Sequence, residues 1–133
     1  MFKITEAATR LPVRFPVKPG VVLAPGHVTK TVEYNGFLVT DICDGYDALG
    51  LVQNRCIGGN EIDFKNVAKI HLQRMIVDIS KFDRENEIHK GNSLYCNGVG
   101  ELSSKKPFEN SLVLAKAISP CNEEKSHMTI LWV

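Results

Sequence analysis

The sequence has no C-x-x-C pair and no histidine at zinc-finger spacing. Its four cysteines, Cys43, Cys56, Cys96 and Cys121, are scattered through 133 residues. Neither a metal site nor a disulfide framework is signalled, and the plain expectation is buried free thiols that behave as small hydrophobes. No stretch approaches the roughly 20 apolar residues that span a bilayer, and the start "MFKITEAATRLPVRFP" has no apolar signal-peptide core. The expectation is a soluble chain made in the cytoplasm, with no membrane partner. Charge of neither sign is in excess: 16 Lys and Arg against 15 Asp and Glu leave +1. No global field is available to hold nucleic acid, so a partner must be recognised by shape and local contacts. Also missing are G-x-S-x-G, H-E-x-x-H and a P-loop lysine signature, and with them any signal for an enzyme or a cofactor. There is no internal repeat and no low-complexity tract.

What is present fits one domain of a size that buries about two-thirds of its unfolded surface. Residues 1–26 carry Pro12, Pro16, Pro19 and Pro25 with Gly20 and Gly26 between them, so neither a helix nor a central strand runs through. They predict an extended N-terminal arm preceding a single β domain over 27–133. The arm's apolar residues, among them Leu11, Val13, Phe15, Val17 and Leu23, are too many for a solvated linker and need a surface to pack on. That surface belongs either to the parent domain or to a neighbouring molecule, the neighbour being favoured for the first 15 or so. Leu11, Val13, Arg14, Phe15 and Val17 are the candidate partner-binding residues.

From Val28 onward, short runs rich in β-branched and aromatic residues are divided by Gly and Asn, the pattern of an all-β domain. The expected fold is a compact antiparallel β-barrel or β-sandwich. In "VTKTVEYNGFLVTDIC" a type I′ turn at Asn35-Gly36 sets Tyr34 opposite Phe37, Val32 opposite Val39, Lys30 opposite Asp41 and Val28 opposite Cys43. Each pair matches in kind, so a one-residue slip loses all of them together. "ALGLVQNRC" reads as a short strand and "IGGNEIDF" as a loop or hairpin turn. "VAKIHLQRMIVDI" alternates Ala68, Ile70 and Leu72 against Lys69, His71 and Gln73 before turning continuously apolar. A strand passing from half to full burial through a bulge explains it, with an amphipathic helix as the rival. "SKFDRENEIHKGNS" is a polar loop, and "SLYCN", "LVLAKAIS" and "HMTILWV" are three further strands, the last tied into a sheet.

Candidate chemistry is sparse. Asp41, Asp44 and Asp47 cluster around Gly45, but the spacing that wraps calcium is missing, and Asp44-Gly45 reads as turn chemistry. His27, His71, His89 and His127 sit beside Gly, Lys or Ser or on the polar side of a strand, which predicts exposed or edge positions. The "SKK" at 104–106 has no interleaved aromatics. "YCNGVGELS" at 95–103 has glycines that could cradle a phosphate, yet no third glycine follows and Pro107 stops any helix. Asn97-Gly98 therefore reads as a second hairpin turn, with positive φ at both residues and Gly100 keeping the chain slim.

The order of these features resembles the small decoration, or cement, proteins of tailed-bacteriophage heads. The resemblance is carried by "EYNGFLVTDICDGYDALGLVQN", "EIHKGNSLYCNGVGELS", "LVLAKAIS" and "MTILWV". It covers roughly the last hundred residues and is a pattern of turns and small residues, with the four cysteines and the polar stretch 80–92 departing from it. It implies a compact β domain, usually a homotrimer, that binds the major capsid protein on the outside of the virion, often through an extended arm. It implies no enzyme, cofactor or metal. Other virion components, such as tail or head-completion proteins, share much of the pattern. A small β-barrel binding nucleic acid or peptide, and a thiol-dependent hydrolase, are the readings from other classes.

Overall fold

The computed structural model describes residues 1–7, 11–119 and 126–133. Among them there is no helix, and the strands in chain order are β1 (Phe2–Ala7), β2 (Val13–Pro16), β3 (Val22–Leu23), β4 (Val28–Tyr34), β5 (Phe37–Ile42), β6 (Gly50–Val52), β7 (Cys56–Ile57), β8 (Val67–His71), β9 (Met75–Ile79), β10 (Ser93–Cys96), β11 (Leu102–Ser103), β12 (Ala115–Ser119) and β13 (Met128–Trp132). They form a six-stranded sheet ordered β1-β9-β13-β12-β10-β11, a five-stranded sheet ordered β2-β8-β6-β4-β5, and a β3-β7 ribbon. The fold is all-β, antiparallel and sandwich-like, with no closed barrel. The edges of the five-stranded sheet do meet at one point, where Val17 bridges Thr40 in parallel and Lys18 N donates to Thr40 O at 2.9 Å.

The β4-β5 hairpin forms as its sequence dictates. Asn35 (φ 49°) and Gly36 (φ 82°) both adopt the left-handed conformation of a type I′ turn. Tyr34 pairs with Phe37, Val32 with Val39 and Lys30 with Asp41, and Cys43 N donates to Val28 O at 3.0 Å. The Lys30 ammonium reaches past Asp41 to Asp44 at 3.1 Å, leaving Asp41 to Lys18 at 3.5 Å.

Strand alternation separates two cores. Leu51 and Val52 are adjacent in β6, so their side chains leave opposite faces of the sheet. Leu51, with Val28 and Cys43, packs between the sheets against Val77, Ile79, Leu94, Ile130 and Trp132. Val52 packs on the other side with Val17, Leu23, Cys56, Ala68 and Ile70, beneath the β3-β7 ribbon. A strand buried on both faces reads as a continuous apolar run, which "GLV" is. Cys43, Cys56 and Cys96 are buried free thiols; Cys121 lies outside the described residues.

Four expectations are corrected. The described residues of the expected arm, 1–7 and 11–26, supply strands to the sheets. β1 is the outer strand of the six-stranded sheet, β2 the outer strand of the five-stranded sheet, and β3 half of the ribbon. The prolines fit because edge strands and turns tolerate a missing amide donor, and Pro16 sits at the end of β2 opposite Val67. The segment 67–79 is neither one bulged strand nor a helix: it breaks after His71 and crosses from one sheet to the other. Asn97-Gly98 does not form a two-residue turn, because Cys96 pairs with Leu102 and five residues close the loop. The histidine expectation fails at His27 and His71, which are buried.

Both buried histidines are satisfied as neutral rings. His27 Nδ1 accepts from Ala24 N at 2.8 Å. His71 pairs across the strand with Leu51 and therefore faces the inter-sheet core, where the Phe2 ring stacks on it at 5.5 Å. Its Nε2 lies 2.6 Å from Gln53 Oε1 and its Nδ1 3.5 Å from Gln73 Nε2. A ring protonated at Nε2 suits both partners, and a second proton on Nδ1 would face an amide donor. Burial lowers the pKa of both histidines, reinforced at His27 by Lys81 and offset there in part by Glu101. A folded pKa below the unfolded value of about 6.5 means that the unfolded chain binds more protons below that pH. Stability is therefore full above about pH 6.5 and falls as the pH drops toward the folded values. The melting temperature should decline from pH 7 to pH 5, and His71→Gln should flatten that decline. An unchanged slope in the variant would show that His71 does not carry it.

Candidate interaction surface

Three aromatic and aliphatic side chains stand out of the fold where the β4-β5 hairpin meets the loop after β7. Phe37 and Leu38 open β5, and the alternation that sends Val39 into the protein leaves Leu38 outside. Phe64 meets Phe37 edge to face, with centroids 5.2 Å apart at 70°. The Phe64 loop is held in place locally: Asp63 Oδ1 accepts from Lys65 N at 2.9 Å, and Asn66 Nδ2 donates to Ile57 O at 2.7 Å. Ile57 in turn pairs across the ribbon with Val22. Val22, Phe37, Leu38, Ile57 and Phe64 are each 49% to 58% exposed. Exposed apolar groups in contact, as Phe37 and Phe64 are, characterise binding surfaces, whereas a lone exposed Leu would mean nothing.

The candidate partner-binding residues divide. Leu11 is the most exposed of them at 79% and Val13 is partly exposed, while Arg14 pairs with Lys69 in the β2-β8 ladder with its side chain outside. Phe15 packs against the second core and Val17 belongs to it, so those two hold β2 in place and present little to a partner. Of the turn residues, Asn35 and Gly36 support the exposed hairpin directly. Asn97 and Gly98 lie at another place, beside the polar groove described next.

That groove, about 790 Å³, runs between the 80–87 segment and the β10-β11 loop, with Lys81, Asp83, Arg84, Glu101 and Lys105 along it. Four of its charged groups, Lys81, Asp83, Arg84 and Glu101, have partners within the fold. Asp83 is buried and accepts from Glu85 N at 3.0 Å, Asn86 Nδ2 at 2.6 Å and Ser103 Oγ at 2.7 Å. Burial pushes its pKa up, but those hydrogen bonds outweigh it and leave the carboxyl below its ordinary value. Lys81 pairs with Glu101 at 3.5 Å. Arg84 donates to Ser80 O at 2.6 Å and covers the Phe82 ring at 4.3 Å. The network fastens the polar segment to β11 through Asp83. Removing the Asp83 anchor should show this: Asp83→Ala is expected to cost about 2–4 kcal/mol in urea unfolding, from hydrogen bonds to a buried charge.

The exposed patch has a sequence signal that pairing alone hides. "FLV" opens a strand with three apolar residues in a row, one more than an alternating strand can bury. Phe64 has no such signal, since its neighbour Phe37 is 27 residues away in the chain and only the fold joins them. Among the described residues no helix is long and apolar enough to cross a membrane. No protein-family model matches the chain, and no curated protein sequence matches it.

Proposed function

We propose that this protein is a virion structural component, a capsid decoration protein that binds the major capsid protein lattice from outside and stabilises the head. The observation that carries the reading is the set of exposed apolar side chains Val22, Phe37, Leu38, Ile57 and Phe64, with Phe37 and Phe64 in edge-to-face contact, on a small all-β domain. The order of turns and strands that resembles the cement proteins supports it. So does the exposure of Leu11 just before the outer strand β2, and of Val13 and Arg14 within it.

The physical requirements of the role are modest. A cement protein needs contacts spread over several neighbours, each of moderate strength and multiplied when one oligomer presents several copies. Aromatic anchors in the middle of an interface supply most of such contact energy. The protein acts as a homotrimer, so that three patches engage the lattice together.

Co-sedimentation with expanded empty capsids tests the reading. The protein should bind at a copy number set by the lattice, and binding to no capsid lattice at all would sink it. The double variant Phe37→Ser, Phe64→Ser should weaken the per-copy affinity roughly 30- to 1,000-fold, at about 1–2 kcal/mol per truncated aromatic. Circular dichroism of that variant should be unaltered, because neither ring lies in a core. Sedimentation equilibrium of the free protein should give three times the monomer mass, or the monomer mass where trimers form only on the shell.

A further inference from the structure

Two of the buried cysteines are brought together from opposite sheets. Cys43 directly follows β5 of the five-stranded sheet, and Cys96 ends β10 of the six-stranded one. Cys96 Sγ lies 3.6 Å from Cys43 O. The flanking segments run close together: a Cβ at Gly45 would stand 3.7 Å from Cys96 O, and one at Gly100 3.5 Å from Cys43 O. Both sulfurs also contact carbonyls, Cys43 Sγ that of Tyr46 at 3.2 Å and Cys96 Sγ that of Asn97 at 3.1 Å. Cys96 lines a cavity of about 270 Å³, together with Gly45, Tyr46, Phe108 and Leu114. The Tyr46 and Phe108 rings stack at its wall, 4.3 Å apart.

We propose that Cys43 and Cys96 are a redox-modification site, at which a small peroxide converts the thiol pair into an intramolecular disulfide joining the two sheets. One sulfur, as thiolate, attacks an oxygen of hydrogen peroxide. The O–O bond breaks, the leaving oxygen departs as water with the proton of that thiol, and a sulfenic acid remains. The second sulfur attacks the first, the S–S bond forms, the S–O bond breaks, and the hydroxyl leaves as water with the second thiol's proton. Two thiols give up two electrons, and one peroxide becomes two waters.

The cavity beside Cys96, about 270 Å³, is large enough for an oxidant of this size. The other buried thiol lacks such a setting. Cys56 Sγ sits 3.2 Å from Val67 O and 3.0 Å from Asn54 Nδ2, and burial pushes its thiol up. Cys43 is held below the ordinary thiol value, first by the neighbouring Cys96 side chain and against the effect of burial. The bridge would close a segment with a separation of 53 residues, a long loop whose constraint on the unfolded chain is large.

The test uses the full chain. It is exposed to hydrogen peroxide, quenched with catalase, denatured, alkylated and digested with trypsin without reduction, which leaves each of the four cysteines on a separate peptide. The expected product is a cross-link between the Cys43 and Cys96 peptides, lighter than their sum by two hydrogens, with Cys56 alkylated. Oxidised protein should melt roughly 5–15 °C higher than reduced protein, and dithiothreitol should abolish the difference. Cys43→Ser and Cys96→Ser should each lose the shift, and Cys56→Ser should keep it. A dominant cross-link through Cys56, Cys121 or a second molecule, or oxidation to sulfinic acid without a cross-link, would overturn the assignment. Because wild-type protein gives the peptide map, the outcome does not depend on any variant folding.

Discussion

Gly100→Ala should destabilise the protein by roughly 2–5 kcal/mol, while Gly98→Ala two residues away should change stability by less than about 0.5 kcal/mol. Gly100 has φ +76°, and an added Cβ would stand 2.5 Å from Ile42 Cγ2 and 3.1 Å from Val28 O. The left-handed backbone alone costs an L-residue about 1–2 kcal/mol, and forcing a methyl into a packed contact adds about 1–3 kcal/mol. Val28 cannot move aside readily, because Val28 N donates to Gly100 O at 2.8 Å and Val28 O accepts from Cys43 N at 3.0 Å. Gly98 meets nothing within 4 Å and has no positive φ. Urea denaturation of the two variants at constant m-value decides the matter. Equal losses, or a larger loss at Gly98, would return the turn to Asn97-Gly98. A double-mutant cycle with Ile42→Ala would then isolate the steric part, since it removes the overlap and leaves the backbone strain.

The same loop shows how far the sequence can be read. That "YCNGVGELS" closes a hairpin was legible, because strand-forming residues flank an Asn-Gly pair. Which glycine carries the turn was not. Asn97 Oδ1 accepts from both Val99 N at 3.0 Å and Glu101 N at 2.9 Å. This side-chain bridge lets the loop span five residues and hands the left-handed position to Gly100. The first hairpin was legible down to register, because its turn type and its four cross-strand pairs point to one answer. The 67–79 segment was not, because a strand that changes sheets and one that bulges within a sheet break their alternation alike. His71 illustrates the cost of that ambiguity. Placed on a polar face by its neighbours Lys69 and Gln73, it is buried because its cross-strand partner is Leu51, and no local pattern names that partner. The place of Phe64 in the exposed patch and the thiol pair were illegible for the same reason. Each is made by segments far apart in the chain, and a single sequence does not show which segments meet.

Removal of residues 1–7 should destabilise the domain by roughly 3–5 kcal/mol and shift its unfolding to clearly lower urea. An arm that packed on a neighbouring molecule would predict no change in the isolated protein. In the structure, β1 pairs with β9 from Phe2 opposite Ile79 to Ala7 opposite Met75, with one irregularity between Ile4 and Glu6. Phe2, Ile4 and Ala7 pack against the inter-sheet core, and Ser80 N donates to Met1 O at 3.2 Å. Fully burying a Phe or Ile contributes about 1.5–3 kcal/mol. Half-burial of the two, with net gains near 1 kcal/mol per ladder hydrogen bond set against the entropy of ordering an edge strand, leads to the stated range. That is a large share of a typical total of about 5–15 kcal/mol. Loss of β1 also uncovers the edge of β9, whose residues Val77 and Ile79 are fully buried, so the truncated protein should self-associate as it warms. Phe2→Ala separates packing from pairing: it removes the ring stacked on His71 but leaves the ladder, and should account for about half of the loss. It should also weaken the pH dependence attributed to His71, because opening that side of the imidazole to water relieves the burial that lowers its pKa. An unchanged unfolding midpoint after removal of residues 1–7 would mean that β1 contributes nothing to the isolated domain. Its strand would then be available to another molecule, as the sequence pattern alone had suggested.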